Sequence, residues 1–129
     1  MIKRFTSLLL IALTAASAAF AAAPKISFAT KTHDFGTVRE ANGTVSCEFS
    51  FTNDGDAPLA IISARSSCGC TKPTFPRKPL MPGEKGVIKV TYNPKGRPGE
   101  FSKNITVKTS DKKNKSVKLR ISGVVVPEK

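Results

Sequence analysis

The sequence predicts an all-β protein, a single antiparallel β-sandwich of short strands. Three observations carry this. Apolar and polar residues alternate with period two in several segments, the pattern of strands with one buried face. Clusters of Gly, Pro, Asn and Asp separate those segments every dozen residues or so. No segment places its apolar residues at helical spacing. At 129 residues, 40% apolar and 23% charged, the chain has material for one domain and is too apolar to stay disordered.

The first stretch is an address. Lys3 and Arg4 precede an apolar run over residues 8–19, and small residues follow. A basic start, a short apolar middle and a small-residue end define a secretory signal peptide. A membrane-spanning helix needs about 20 apolar residues, more than this run supplies. Ala19-Phe20-Ala21 fits the cleavage pattern, so residues 1–21 are expected to be removed and residues 22–129 to form the domain. No Cys stands near the cut to carry a lipid. The mature chain has no transmembrane segment and is expected in the periplasm, outside the cell or on its surface.

The elements follow in order. Residues 26–30 are a short strand candidate. In His33-Asp34-Phe35-Gly36 we expect a kink of the first strand. Asp34 would bond local backbone, Phe35 would enter the core and Gly36 would permit the bend. Residues 44–53 alternate strictly, with Val45, Cys47, Phe49 and Phe51 on one face. Residues 59–64 are a second short candidate. Ile88, Val90 and Tyr92, then Phe101, Ile105 and Val107, then Val117, Leu119 and Ile121 mark three further strands. Between them Pro73, Pro76, Pro79 and Pro82 recur every third residue, the period of polyproline II. We expect a stiff, extended crossover along the sandwich edge rather than a ligand for a proline-binding module.

Three cysteines remain in the mature chain. Cys47 lies on the apolar face of its strand and is expected to act as a small buried hydrophobe. Cys68 and Cys70 have only Gly69 between them. Four readings stay open for the pair. One is a disulfide in a tight turn that Gly69 allows, closing a small and readily exchanged ring. A second is a soft-metal site for Cu(I) or zinc, for which only His33 remains as an imidazole ligand. A third is a catalytic thiol with His33 as base. The last is an inert packed turn. An odd cysteine count in an oxidising compartment leaves at least one thiol free or pairs it between chains.

Taken together, His33-Asp34-Phe35-Gly36, Phe49-Ser50-Phe51-Thr52-Asn53, Pro58-Leu59, Ser67-Cys68-Gly69-Cys70-Thr71 and the Pro82-Gly83 ahead of a strand form a recognisable set. In these the chain resembles the bacterial "domain of unknown function 1573" family, similar to Hydin-like and major-sperm-protein-like immunoglobulin folds. The resemblance covers nearly the whole mature chain. It implies a secreted immunoglobulin-like sandwich of about seven strands, and no reaction.

The chain carries 21 Lys and Arg against 9 Asp and Glu, a net charge of +12. Basic clusters stand at residues 72–78, 95–97 and 112–118. A protein or an anionic envelope component is the expected partner. Nucleic acid is not, because there is no Trp and one Tyr to supply stacking. With one His and no phosphate-loop, dinucleotide or zinc-protease motif, no catalytic residue and no cofactor is assigned. The leading function is a secreted or periplasmic binding or structural module that is not an enzyme. The alternative is a thiol-redox or Cu(I)-handling protein working through Cys68 and Cys70. If the proline segment crosses the sandwich, the C-G-C loop shares its end with residues 40–43 and 95–99. If the segment folds back, the loop shares its end with residues 111–115. Either neighbourhood is net basic.

Overall fold

The computed structural model describes residues 21–127, so the expected signal peptide lies outside the described residues apart from Ala21. Eight strands follow one another: β1 Ile26–Phe28, β2 Thr32–Arg39, β3 Val45–Asn53, β4 Ile61–Ser66, β5 Thr71–Thr74, β6 Lys85–Tyr92, β7 Gly99–Thr109 and β8 Ser116–Val126. A 3-10 turn, Glu40–Asn42, joins β2 to β3. One sheet has the order β1-β3-β6-β5 and the other β2-β8-β7-β4. This is a two-sheet sandwich, as the alternation predicts, with the immunoglobulin-like form that the resemblance implies.

The core follows from the period-two pattern. Cys47, Phe49 and Phe51 of β3 and Ile88, Val90 and Tyr92 of β6 face inward from one sheet. Phe101, Ile105 and Val107 of β7 and Val117, Leu119 and Ile121 of β8 meet them from the other. Each such side chain, taken fully out of water, contributes about 1.5–3 kcal/mol. Tyr92 stacks on Phe101 with ring centroids 4.0 Å apart, joining the sheets near one end. Gly86 is paired with Phe51, and a Cβ there would stand 2.6 Å from the Phe51 ring. The missing side chain is what lets that ring approach β6 so closely.

The described residues form eight strands, in keeping with the expected sandwich of about seven, because the first one divides. Two details are corrected. The chain leaves one sheet after β1 and continues in the same direction along the other sheet as β2. A crossing without reversal makes β2 parallel to β8, the one parallel strand pair among the described residues. The proline segment is not one polyproline helix either. Its start is β5, with Pro73 opposite Val90. A residue without an N–H is tolerated there because β5 is an edge strand with no neighbour beyond it. The segment does cross the sandwich. Leu80 reaches the opposite end and exchanges two backbone hydrogen bonds with Leu59, at 2.8 and 2.7 Å.

The expected kink in His33-Asp34-Phe35-Gly36 falls within β2. The β2–β8 register shifts between Asp34 and Thr37, and Gly36 has φ +67°. The Asp34 carboxylate accepts the Gly36 N–H at 2.7 Å, holding the bend. Phe35 is only partly buried, 6.4 Å from Phe101. Across the bend stands Gly123, where a Cβ would lie 2.9 Å from the Gly36 carbonyl oxygen. The bulge therefore fits only against a bare backbone.

Two buried polar side chains tie the loops at the end opposite the C-G-C turn. Asn53 is fully buried, and its amide donates to the carbonyls of Ala57 and Leu80 at 2.8 and 3.0 Å. Its side-chain oxygen accepts the N–H groups of Gly55 and Lys25. Asp111, 2% exposed, accepts the N–H groups of Ile26 and Lys113 and the side-chain amide of Asn114. The β1 approach, the turn after β3, the proline crossover and the β7–β8 turn are thus joined through two residues.

Candidate functional site

The chain turns between β4 and β5 and brings the Cα atoms of Cys68 and Cys70 to 5.2 Å; Gly69 does not take a left-handed φ there, and a Cβ on it would meet nothing within 4 Å. The two form a disulfide, the first of the four readings. The Cys70 N–H points at Cys68 Sγ, 3.3 Å away, and the Thr71 N–H donates to the Cys68 carbonyl at 3.1 Å. The Asn93 N–H donates to the Cys70 carbonyl at 2.9 Å, so the turn is pinned to the end of β6. The sulfurs are not equivalent. Cys70 is 5% exposed and belongs to the core, whereas Cys68 is partly buried at its margin. The buried Thr71 hydroxyl lies 3.5 Å from Cys70 Sγ. A disulfide sulfur has no proton, so the hydroxyl is the donor.

Because the proline segment crosses, the C-G-C turn shares its end with the Glu40–Asn42 turn and with the loop carrying Lys95 and Arg97. Glu40 is engaged there, accepting the Gly96 N–H at 2.7 Å. His33 is elsewhere. It stands exposed on β2, edge-on to Phe35 at 4.6 Å. The strands β2 and β4 are opposite edges of one sheet, three strand spacings or about 14 Å apart. The structure therefore does not bring His33 to the thiol pair, and the readings that needed it as base or ligand lose their imidazole. Among the described residues there is no group of three or more His, Cys, Asp and Glu that could hold a metal ion. Cys47 is free and buried, and burial, with Glu48 beside it, pushes its thiol up to about 11. It is a packing residue.

A second feature is not legible as a motif. The outer face of the β2-β8-β7-β4 sheet sets Arg65, Thr106 and Lys118 in one row across three strands. Arg65 and Lys118 are then two strand spacings apart, about 10 Å. Ser63, Lys108 and Ser116 form the next row on one side, and Asn104 with Arg120 the next on the other. Arg120 donates to the Asn104 side chain at 3.3 Å. Beside this patch β4 bulges, pushing Ile62 into solvent at 62% exposure next to a shallow depression lined by Arg65, Thr106 and Lys108. Asp34 and Glu100, the acids on this face, stand toward the C-G-C end. The other sheet differs: its outer Lys89 faces Glu48 directly.

The model of the family described as "Protein of unknown function (DUF1573)" matches residues 26–125. A search of curated proteins found no match. Solved structures are similar in fold. A protein of unknown function from Porphyromonas gingivalis W83 has a TM-score of 0.65 at 14% identity, over 80% of this chain and 46% of that one. The Vibrio cholerae VesB protease has 0.64 at 17% identity, over 77% of this chain and 31% of that one. The ASH/PapD-like domain 7 of human CEP192 has 0.63 at 13% identity, over 83% of this chain and 89% of that one. The chain thus spans less than half the length of the first two. At these identities the likeness is one of fold.

Proposed function

Because the chain belongs to the DUF1573 family of proteins of unknown function, a membership that carries a fold and no activity, we propose its function from its surface. It is an exported, non-catalytic binding module that docks an anionic protein or envelope component through the outer face of the β2-β8-β7-β4 sheet. The observation that carries this is the row of Arg65, Thr106 and Lys118 flanked by Lys108 and Arg120. Four cations held by a rigid sheet, with hydroxyls and an amide between them, attract and orient an anionic partner. An enzyme reading has less support, since His33 is an edge of a sheet away from the thiol pair.

Export rests on the leader pattern in residues 1–21. Intact-mass measurement of the exported protein is expected to give an N-terminus at Ala22, and retention of Met1 would contradict it. The docking face is tested by a photo-crosslinking side chain placed at Thr106 and, separately, at Ser50 on the outer face of the other sheet. In native cells, discrete adducts are expected from position 106 and not from position 50. Equal adducts from both, or none from either, would contradict the assignment.

A further inference from the structure

The C-G-C disulfide has an inside and an outside, and thiol–disulfide exchange is sensitive to that difference. An attacking thiolate must approach along the S–S axis, from the side opposite the sulfur that leaves. Cys68 Sγ is the outer atom, since Cys68 is at the margin and Cys70 is in the core at 5% exposure. Approach to Cys68 comes from solvent. Cys70 is enclosed by the core, so a thiolate approaching it meets packed side chains. The leaving side is also furnished: the Thr71 hydroxyl, 3.5 Å from Cys70 Sγ, is positioned to donate to the charge that forms there. The shared end carries Lys95 and Arg97, which draw an anionic thiolate toward it.

We propose that Cys68–Cys70 is a one-sided thiol-exchange site, in which a thiolate from a partner forms its mixed disulfide at Cys68 alone. The step balances without a further oxidant. The partner R–S⁻ donates its electron pair to Cys68 Sγ, and an R–S–S bond to Cys68 forms. The Cys68–Cys70 bond breaks, and its electron pair remains on Cys70 Sγ, which then takes a proton from water. Return of Cys70 onto Cys68 expels R–S⁻ and restores the starting state. A second thiol attacking the adduct instead yields the reduced pair and R–S–S–R. The inference does not rest on the basic sheet face, whose nearest cation in sequence, Arg65, stands on β4 just before the turn.

The test uses the mature protein with its disulfide intact and reduced glutathione as the probe, with a single-cysteine peptide as a second arm. Reaction is quenched with acid at short times, free thiols are alkylated, and fragment-ion mass spectrometry of the peptide holding both cysteines locates the adduct. Gly69 separates the two positions, so they are resolved. Adduct is expected on Cys68 in excess over Cys70 by on the order of tenfold or more. An adduct in the peptide arm alone assigns a polypeptide thiol as the partner, and one in the glutathione arm assigns a small thiol. Adduct spread equally, or concentrated on Cys70, would overturn the proposal, as would a disulfide that survives both thiols unchanged. As a second measurement, Cys70→Ser is expected to take glutathione from its disulfide faster than Cys68→Ser. The mapping on the unsubstituted chain needs neither variant to fold.

Discussion

Replacing Asn53 with alanine is expected to lower the stability by about 3 kcal/mol, roughly 15 °C in Tm for a domain of this size. The residue is fully buried and makes four side-chain hydrogen bonds. Alanine removes the side-chain partner of the Ala57 carbonyl and of the Lys25 and Gly55 N–H groups, and one of the two donors to the Leu80 carbonyl, which keeps the Leu59 N–H. Urea unfolding followed by circular dichroism measures the loss. Asn53→Asp discriminates the cause. It keeps an acceptor but sets a carboxylate against the Ala57 and Leu80 carbonyl oxygens, so it is expected to be worse than alanine at neutral pH. Its deficit should narrow in acid, where the carboxyl is protonated and can donate. A cost below about 1 kcal/mol for Asn53→Ala would mean that the end of the sandwich is held by apolar packing instead.

Asp111→Ala is expected to cost about 2–3 kcal/mol at neutral pH, with a pH dependence of definite sign. Burial alone would raise the Asp111 carboxyl. The hydrogen bonds from the Asn114 side chain and from the Ile26, Lys113 and Asn114 backbone outweigh it and hold the group below its ordinary value. A carboxyl lowered in the folded state contributes stability that is present above its unfolded value, near 3.9, and lost as pH falls through the folded one. The gap between the native chain and Asp111→Ala should therefore be widest above about pH 5 and close progressively below about pH 4. A gap that is constant with pH would show that the ionised carboxylate is not the species that holds the turn.

The parts of the fold legible in the sequence are those with a local period. Strand β3 and the central residues of β6, β7 and β8 alternate because one face packs and the other is wet, and that pattern needs no knowledge of the partner. Strand β5 is not legible because Thr71–Thr74 contains Pro73, and only an edge position makes that residue acceptable. Strand β2 is hidden by its own bulge, which breaks the alternation at Gly36. Asn53 reads as a turn residue in sequence, since its bonds to Ala57 and Leu80 depend on the crossover returning beside it. The candidate sites divide in the same way. The Cys68–Cys70 pair is visible from spacing, but the unequal burial of its sulfurs is a tertiary fact. The basic face is not a run: of its cations only Lys118 falls in a basic cluster of the sequence, and Arg65, Lys108, Lys118 and Arg120 come from three strands and meet only through register. The runs that do stand out, at residues 72–78 and 95–97, belong to other parts of the surface.

On the proposed docking face the placement of charge, and not its total, makes the binding surface. Two double variants of equal net charge test it: Arg65→Glu with Lys118→Glu on the proposed face, and Lys72→Glu with Lys85→Glu on the outer face of the other sheet. Equilibrium binding is measured to polyglutamate and to vesicles of anionic phospholipid, two probes that separate an acidic polypeptide from a lipid headgroup. On the probe that binds, the first variant is expected to weaken affinity by on the order of tenfold or more, and the second by less than about threefold. Equal losses from both variants, or no binding of the native chain to either probe, would contradict the claim.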